Sequence, residues 1–339
     1  MRRMLAILSA SALVLAVAGP PVAAAPAPAA TSPAAAGPRM GLVTDGTALA
    51  DRGFVEDTWA GVRAGAKAVH GSAEAIVPAA TPEAYAWAIE WFVDQGYDVV
   101  VTVGFETLMV ETALAEARAH ANVQFIGVDQ SVDAAGAPPN YQRLVFAEKQ
   151  AGYLAGIVAA TMSTTGTVGA VGGMETVPAV VDFIAGYRDG AASVHAGMHV
   201  LTSYTGDFMR SGLAETAARG QITQGADVVF DVAGAAGLGV FAAASDARRW
   251  AIGVDVDQYL QATAFKSCIL TSAVKRAGRA TSLAIGRFAA GGLQGGEYRN
   301  DAANGGIGLA PIRNAKAPAG LDAKLRTALA GLADGSIKP

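Results

Sequence analysis

The sequence predicts a two-lobed α/β fold, each lobe a parallel sheet with helices on both faces, on three observations. Runs rich in Val and Ile alternate with Ala-rich stretches of helical period along most of the 339 residues. The chain is 52% hydrophobic and 16% charged, enough to bury two cores of ordinary size. Short motifs also recur in one order: "AGVRAGAKAVHG" from Ala60 is echoed by "AGYRDGAASVHA" from Ala185, "QGYDVVV" from Gln95 by "QGADVVF" from Gln224, and "FIGVDQ" from Phe125 by "AIGVDVDQ" from Ala251. The offsets are 125, 129 and, for Asp129 against Asp255, 126 residues, as two similar lobes require.

The N-terminus reads as an export leader over residues 1–25. "MRRM" is its basic start, Leu5 to Gly19 its apolar run, and Ala23-Ala24-Ala25 its cleavage site. The apolar run is shorter than the roughly 20 residues that span a bilayer, and Pro20-Pro21 ends it. No cysteine follows it to carry a lipid, so an exported protein, periplasmic or secreted, is expected. Residues 26–39, "PAPAATSPAAAGPR", are too poor in large apolar groups to pack and read as a tether.

Strands are expected at Met40 to Thr44, Asp98 to Val103, Val123 to Val128, Gly166 to Val171, His199 to Ser203, Asp227 to Val232, Arg249 to Val254 and Ile269 to Ser272. In open parallel sheets ligands sit beyond the carboxyl ends of the strands. Two lobes with facing strand ends enclose a cleft suited to a small molecule. The net charge of −4 gives no basic footprint for nucleic acid or anionic lipid. The single cysteine, Cys268 in "SCIL", forms no internal disulfide and reads as a core residue.

Several residues stand where chemistry would be sought. Asp45 closes the first strand, as a helix N-cap, a turn former or a ligand contact. Phe54 opens the first helix, where an aromatic is usually a hydrophobic staple. Asp129 and Asp255 close repeat-related strands. Lys275 in "SAVKR" is a solvated charge or the partner that keeps Asp255 ionised. The turn "AGAAGLGVF", Ala233 to Phe241, reads G-x-x-G-x-G and lacks the spacing of a dinucleotide fingerprint. No catalytic serine elbow, zinc helix or Cys/His pairing is present, and His70 and His195 fall at equivalent, exposed helix ends.

The runs "GLVTDGTALADRGFVEDTWAGVRAGA", "FIGVDQ", "EKQAGYLAGIVAATMS", "GTVGAVGGM", "FIAGYRDGA", "SYTGDF", "QGADVVFDVAGAAGLGVF", "AIGVDVDQY" and "LTSAVKR" together resemble the basic membrane protein family. The likeness covers roughly Met40 to Arg276. These are substrate-binding proteins of ABC importers, known mostly as nucleoside receptors, with the type I periplasmic-binding-protein fold of two Rossmann-like lobes. The resemblance implies three crossovers, with 40–146 plus 258–295 in the first lobe and 147–257 plus 296–339 in the second. It implies that Phe54 and Phe208 stack on the two faces of a base, Asp129 meets the base, Asp255 and Lys275 meet the ribose, Gly234 brings backbone to the ribose, and Asp45 and Met174 border the pocket.

The expected protein is therefore a monomeric receptor that captures a nucleoside, foremost a purine nucleoside, and delivers it to an ABC permease, with no cofactor, metal or catalysis. The acidic first loop favours nucleosides over nucleotides. A sensor for another small ligand and a nucleoside hydrolase are the alternatives. Three departures from the family bear on the ligand: Val55 where Asn is usual, Ile184 where Glu is common, and Asp207 where Ser is common.

Overall fold

The computed structural model describes residues 37–105, 107–130 and 136–339, so the expected leader and most of the tether lie outside the described residues. Arg39, expected to end the tether, instead opens the first strand. Its N–H donates to the Asp98 carboxylate at 2.8 Å, and its guanidinium lies 4.0 Å from the centre of the Tyr97 ring.

The first lobe runs β1 (Arg39–Thr44), α1 (Phe54–Ala68), β2 (Ser72–Ile76), α2 (Pro82–Asp94), β3 (Val99–Val103), α3 (Thr107–Ala119), β4 (Gln124–Val128) and β5 (Tyr141–Phe146). The chain then crosses into α4 (Glu148–Met162), β6 (Thr167–Gly172), α5 (Pro178–Val194), β7 (His199–Tyr204), α6 (Ser211–Thr223), β8 (Val228–Val232), α7 (Leu238–Asp246), β9 (Trp250–Asp255), α8 (Gln258–Gln261) and β10 (Ile269–Lys275). It returns through α9 (Ala277–Ala289) and β11 (Gly296–Asn300) and crosses back to β12 (Ile307–Leu309) and α10 (Leu321–Asp334).

The two sheets have orders β11-β5-β4-β3-β1-β2 and β12-β10-β9-β8-β6-β7. All their pairings are parallel except β10 with β12. The expected return of 258–295 to the first lobe is thereby corrected for 258–275, while α9 does pack on α1 there. β10 pairs with β9 in the second sheet, and the crossing comes after Lys275. β11, expected in the second lobe, pairs with β5 in the first. The physical reason is symmetry: β10 follows β9 as β5 follows β4, and each sheet is completed by one short strand from the C-terminal region.

Alternation along each strand fills both faces. Val99, Val101 and Val103 of β3 enter the large core under α1 and α9, while Val100 joins Phe92, Phe125 and Tyr141 on the opposite face. Helices pair through glycines. A Cβ on Gly152 of α4 would lie 2.0 Å from the Phe183 carbonyl oxygen of α5, and one on Gly186 of α5 would lie 2.0 Å from that of Lys149. In the first lobe Gly61 of α1 meets the Gly278 carbonyl of α9 in the same way, at 2.1 Å. The backbones touch where side chains ordinarily intervene, which fixes both helix pairs and the crossovers that begin α4 and α9. His70 and His195 are exposed.

Candidate functional site

Parallel strands aim their carboxyl ends at the gap between the sheets, and the candidate residues stand there. Asp45 follows β1, Asp129 follows β4, Met174 follows β6, Phe208 follows β7, Gly234 follows β8, and Asp255 and Lys275 end β9 and β10. With Phe54 they all line one cavity of about 240 Å³. Asp129 and Asp255 share the left-handed backbone, φ 62° at both, which rarely suits a non-glycine residue. The repeat is thus preserved at the turn that aims each carboxylate.

The "DRGF" turn explains how Phe54 reaches the cavity. Asp51 caps α1: its Oδ1 accepts from the N–H groups of Gly53 and Glu56, both at 2.9 Å, and its Oδ2 accepts from Val55 N–H at 3.0 Å. Arg52 N–H donates back to Glu56 Oε2 at 3.1 Å. Phe54 therefore starts the helix at the cavity wall. Asp45 is no helix cap. Its Oδ1 accepts from Thr47 N–H at 3.1 Å, and burial raises its carboxyl above the usual range. Gly104, at φ 130°, leaves the space that its carboxylate fills, for a Cβ there would lie 2.4 Å from Asp45 Oδ2.

Phe208 is seated on glycine. A Cβ on Gly173 would lie 2.2 Å from the Phe208 ring, and the Phe208 carbonyl accepts from Ala236 N–H at 2.8 Å, tying it to the Gly234 turn. Phe105, at the end of β3 and absent from the sequence reading, meets the Phe208 ring edge-on across the cleft, with centroids 5.4 Å apart. Beneath the Gly234 turn, Asp231 of β8 is fully buried. Its Oδ1 accepts from Ala233 N–H at 2.9 Å while its Oδ2 has no hydrogen-bond partner among the described residues. Burial chiefly, with the Asp255 charge adding, pushes its carboxyl up to about 8.

Lys275, 4% exposed, is the centre of charge. Its Nζ lies 2.7 Å from Asp129 Oδ2, 3.6 Å from Glu148 Oε1 and 3.8 Å from Asp255 Oδ1. It also sits 4.5 Å from the centre of the Phe54 ring. Burial alone would lower this ammonium, and the three carboxylates overcome that and hold it above the usual lysine range. Lys275 does pair with Asp255, but at 3.8 Å, and Asp129 is its closer, hydrogen-bonded partner. Burial pushes the Asp255 carboxyl up to about 6, with Asp129 adding to it, and the pull of Lys275 opposes that rise. Asp255 Oδ1 is buried without a hydrogen bond and borders the cavity. Glu148 was missed because a carboxylate opening a helix reads as a dipole partner.

The three departures separate in space. Val55 is buried and lines the cavity, so an apolar wall stands there. Ile184 is fully buried in the core on α5 and does not line the cavity. Asp207 borders the cavity, but its Oδ1 accepts from Met209 and Arg210 N–H, both at 2.7 Å, and its Oδ2 from Arg210 Nε at 2.9 Å. Its charge is spent on the turn that carries Phe208.

Among the described residues no helix is long and apolar enough to cross a membrane. The chain matches the family model Bmp, described as ABC transporter substrate-binding protein PnrA-like, over residues 38–323. It is 28% identical over 289 residues to the ABC transporter nucleoside-binding protein BmpA of Lactococcus lactis, covering 80% of this chain and 81% of that one. It is 28% identical over 239 residues to basic membrane protein D of Borreliella burgdorferi, covering 70% and 67%. An ABC transporter solute-binding protein from Conexibacter woesei superposes with a TM-score of 0.74 at 25% identity, covering 89% of this chain and 98% of that one. Two α/β lobes, a cleft at facing strand ends and a family match over nearly all of the described chain agree: this protein belongs to the Bmp, PnrA-like family of ABC transporter substrate-binding proteins.

Proposed function

We propose that this protein captures a nucleoside, foremost a purine nucleoside, in the cleft between its lobes and delivers it to an ABC permease. The observation that carries this reading is one cavity with an aromatic ring from each lobe, Phe54 and Phe208, and a buried acceptor without a hydrogen bond among the described residues, Asp255 Oδ1. Two rings favour a flat heterocycle, each stack contributing about 0.5–1.5 kcal/mol beyond buried area. That carboxylate oxygen, free to accept a hydrogen bond, suits a ribose hydroxyl, and Lys275 and the Asp129 side meet the remaining polar edge. Asp45, Asp51, Asp129, Asp207 and Asp255 line the cavity against one lysine, which disfavours a phosphate. A relative named as nucleoside-binding supports the same class.

Capture works by closure. The chain passes between the sheets after β5, after β10 and after β11, and these three crossings form the hinge. A ligand touching both lobes shifts the population toward the closed form. Micromolar affinity needs about −8 kcal/mol, within reach of two stacks and several charge-assisted hydrogen bonds. Calorimetric titration with inosine, adenosine, guanosine, cytidine, ribose and inosine monophosphate tests the reading. Purine nucleosides are expected to bind most tightly and the monophosphate far more weakly. An absence of heat with every nucleoside would overturn it.

A further inference from the structure

Glu148 is the buried titratable group that the nucleoside reading leaves unused. It is the first residue of α4, placed where the chain leaves β5 and first crosses between the lobes. It is 5% exposed and its Oε1, 3.6 Å from Lys275 Nζ, has no hydrogen-bond partner among the described residues. Asp129 and Asp255 approach the same ammonium, at 2.7 and 3.8 Å, so three buried carboxyl groups share one lysine. Like charges crowded on one site favour a proton on one of them. A second cavity, of about 680 Å³, reaches Glu148 and shares Phe105, Asp129 and Met174 with the first.

We propose that Glu148 is a positioning residue of the ligand site: its protonated carboxyl holds Asp129 in place and leaves Lys275 to the two aspartates, so closure on a ligand takes up a proton. This rests on the reading of the cleft as a ligand site that opens and closes. Three carboxylates against one lysine would leave a buried charge of two negatives, and one proton on Glu148 removes half of that excess. Burial chiefly, with the Asp129 charge adding and Lys275 opposing, pushes the Glu148 carboxyl up to about 8. The charged groups around it are Asp129 after β4 and Lys275 of β10, then Asp182 of α5 and Glu297 and Arg299 of β11 across the second cavity, with Asp255 beyond Lys275. Glu297 is held by Arg143 at 3.4 Å.

The sign follows from hydration. Opening the lobes lets water reach Glu148 and removes the largest cause of its shift, so the carboxyl falls back toward the ordinary glutamate value of about 4.3. Between that value and about 8 the closed form holds a proton that the open form does not. Affinity therefore falls as pH rises toward about 8, by up to tenfold per unit, and levels off above it.

The test is inosine titration at about pH 7 in buffers of different ionisation enthalpy, which counts protons taken up on binding. Wild type is expected to take up close to one proton. Glu148→Gln, which mimics the protonated carboxyl, is expected to show no uptake and a flat profile near neutral pH, to bind on the order of a hundredfold more tightly than wild type at about pH 7, and to lose that advantage as pH falls toward about 5. Glu148→Ala is expected to bind at least about tenfold more weakly than Glu148→Gln. Equal uptake in wild type and Glu148→Gln, or none in wild type, would overturn the proposal. Should no nucleoside bind, the nucleoside reading fails separately, and Glu148 is read from unfolding of the ligand-free protein. There a melting temperature of Glu148→Gln that gains on wild type as pH rises from about 5 to about 8 supports the raised carboxyl, and a constant difference overturns it.

Discussion

Lys275 Nζ lies 2.7 Å from Asp129 Oδ2, joining the last residue of β10 in one sheet to the turn after β4 in the other. This buried pair spans the lobes. Removing one partner of such a pair costs roughly 3–5 kcal/mol. Lys275→Met is therefore expected to lower the melting temperature sharply, and adding Asp129→Asn to restore part of the loss. Differential scanning calorimetry of the single and double variants checks both.

Gly173 sets the position of Phe208, whose ring would lie 2.2 Å from an added Cβ. Gly173→Ala must displace the ring. Nucleoside affinity is expected to fall about tenfold, the equivalent of one lost stack, as it should in Phe208→Ala. Thermal melts are expected to change less than the calorimetric Kd, because the ring borders a cavity and is only half-buried.

Asp255 must be ionised to accept strongly from a ribose hydroxyl, and its carboxyl titrates near about 6 because burial and Asp129 outweigh Lys275. Alone, this lowers affinity as pH drops through that value. The opposite slope from Glu148 offsets this below about 6, so the combined profile is level there and falls from about 6 to about 8, while Asp255→Asn, weaker overall, keeps gaining affinity as pH drops below about 6. Titrations of both proteins from about pH 5 to about pH 9 separate the two groups.

Asp231 gives a stability signature. Its folded carboxyl is raised to about 8, while the unfolded chain releases the proton near the ordinary aspartate value of about 3.9. The folded state holds the extra proton between these values, so stability falls as pH rises through the window. Asp231→Asn keeps the acceptor for Ala233 N–H and loses the titration. It is expected to gain on wild type from about pH 4 to about pH 8 and to hold that gain above, as measured by urea unfolding.

The Val-rich strands and the repeat were legible because buried parallel strands need continuous apolar runs. β2, "SAEAI", and β11, "GEYRN", were not, because each is an edge strand with exposed positions and no apolar run. β5 was hidden by Gln142 and Arg143, polar residues that it buries. The misplaced lobe boundary had a signal in the sequence: Lys149-Gln150-Ala151-Gly152 is echoed by Lys275-Arg276-Ala277-Gly278 at an offset of 126, marking two equivalent crossings. All the candidate site residues reach one cavity because strand-end position is a topological property that periodicity reveals. Which carboxylate meets Lys275, and that Phe105 and Glu148 join it, depends on how the lobes meet, which no local pattern encodes.

The most direct test is a crystal structure of the protein with inosine. The expected complex has the hypoxanthine ring between Phe54 and Phe208, the ribose hydroxyls on Asp255 and Lys275, and the Gly234 backbone against the sugar. Inosine bound outside this cavity, or inside it with neither ring stacked, would contradict the nucleoside reading.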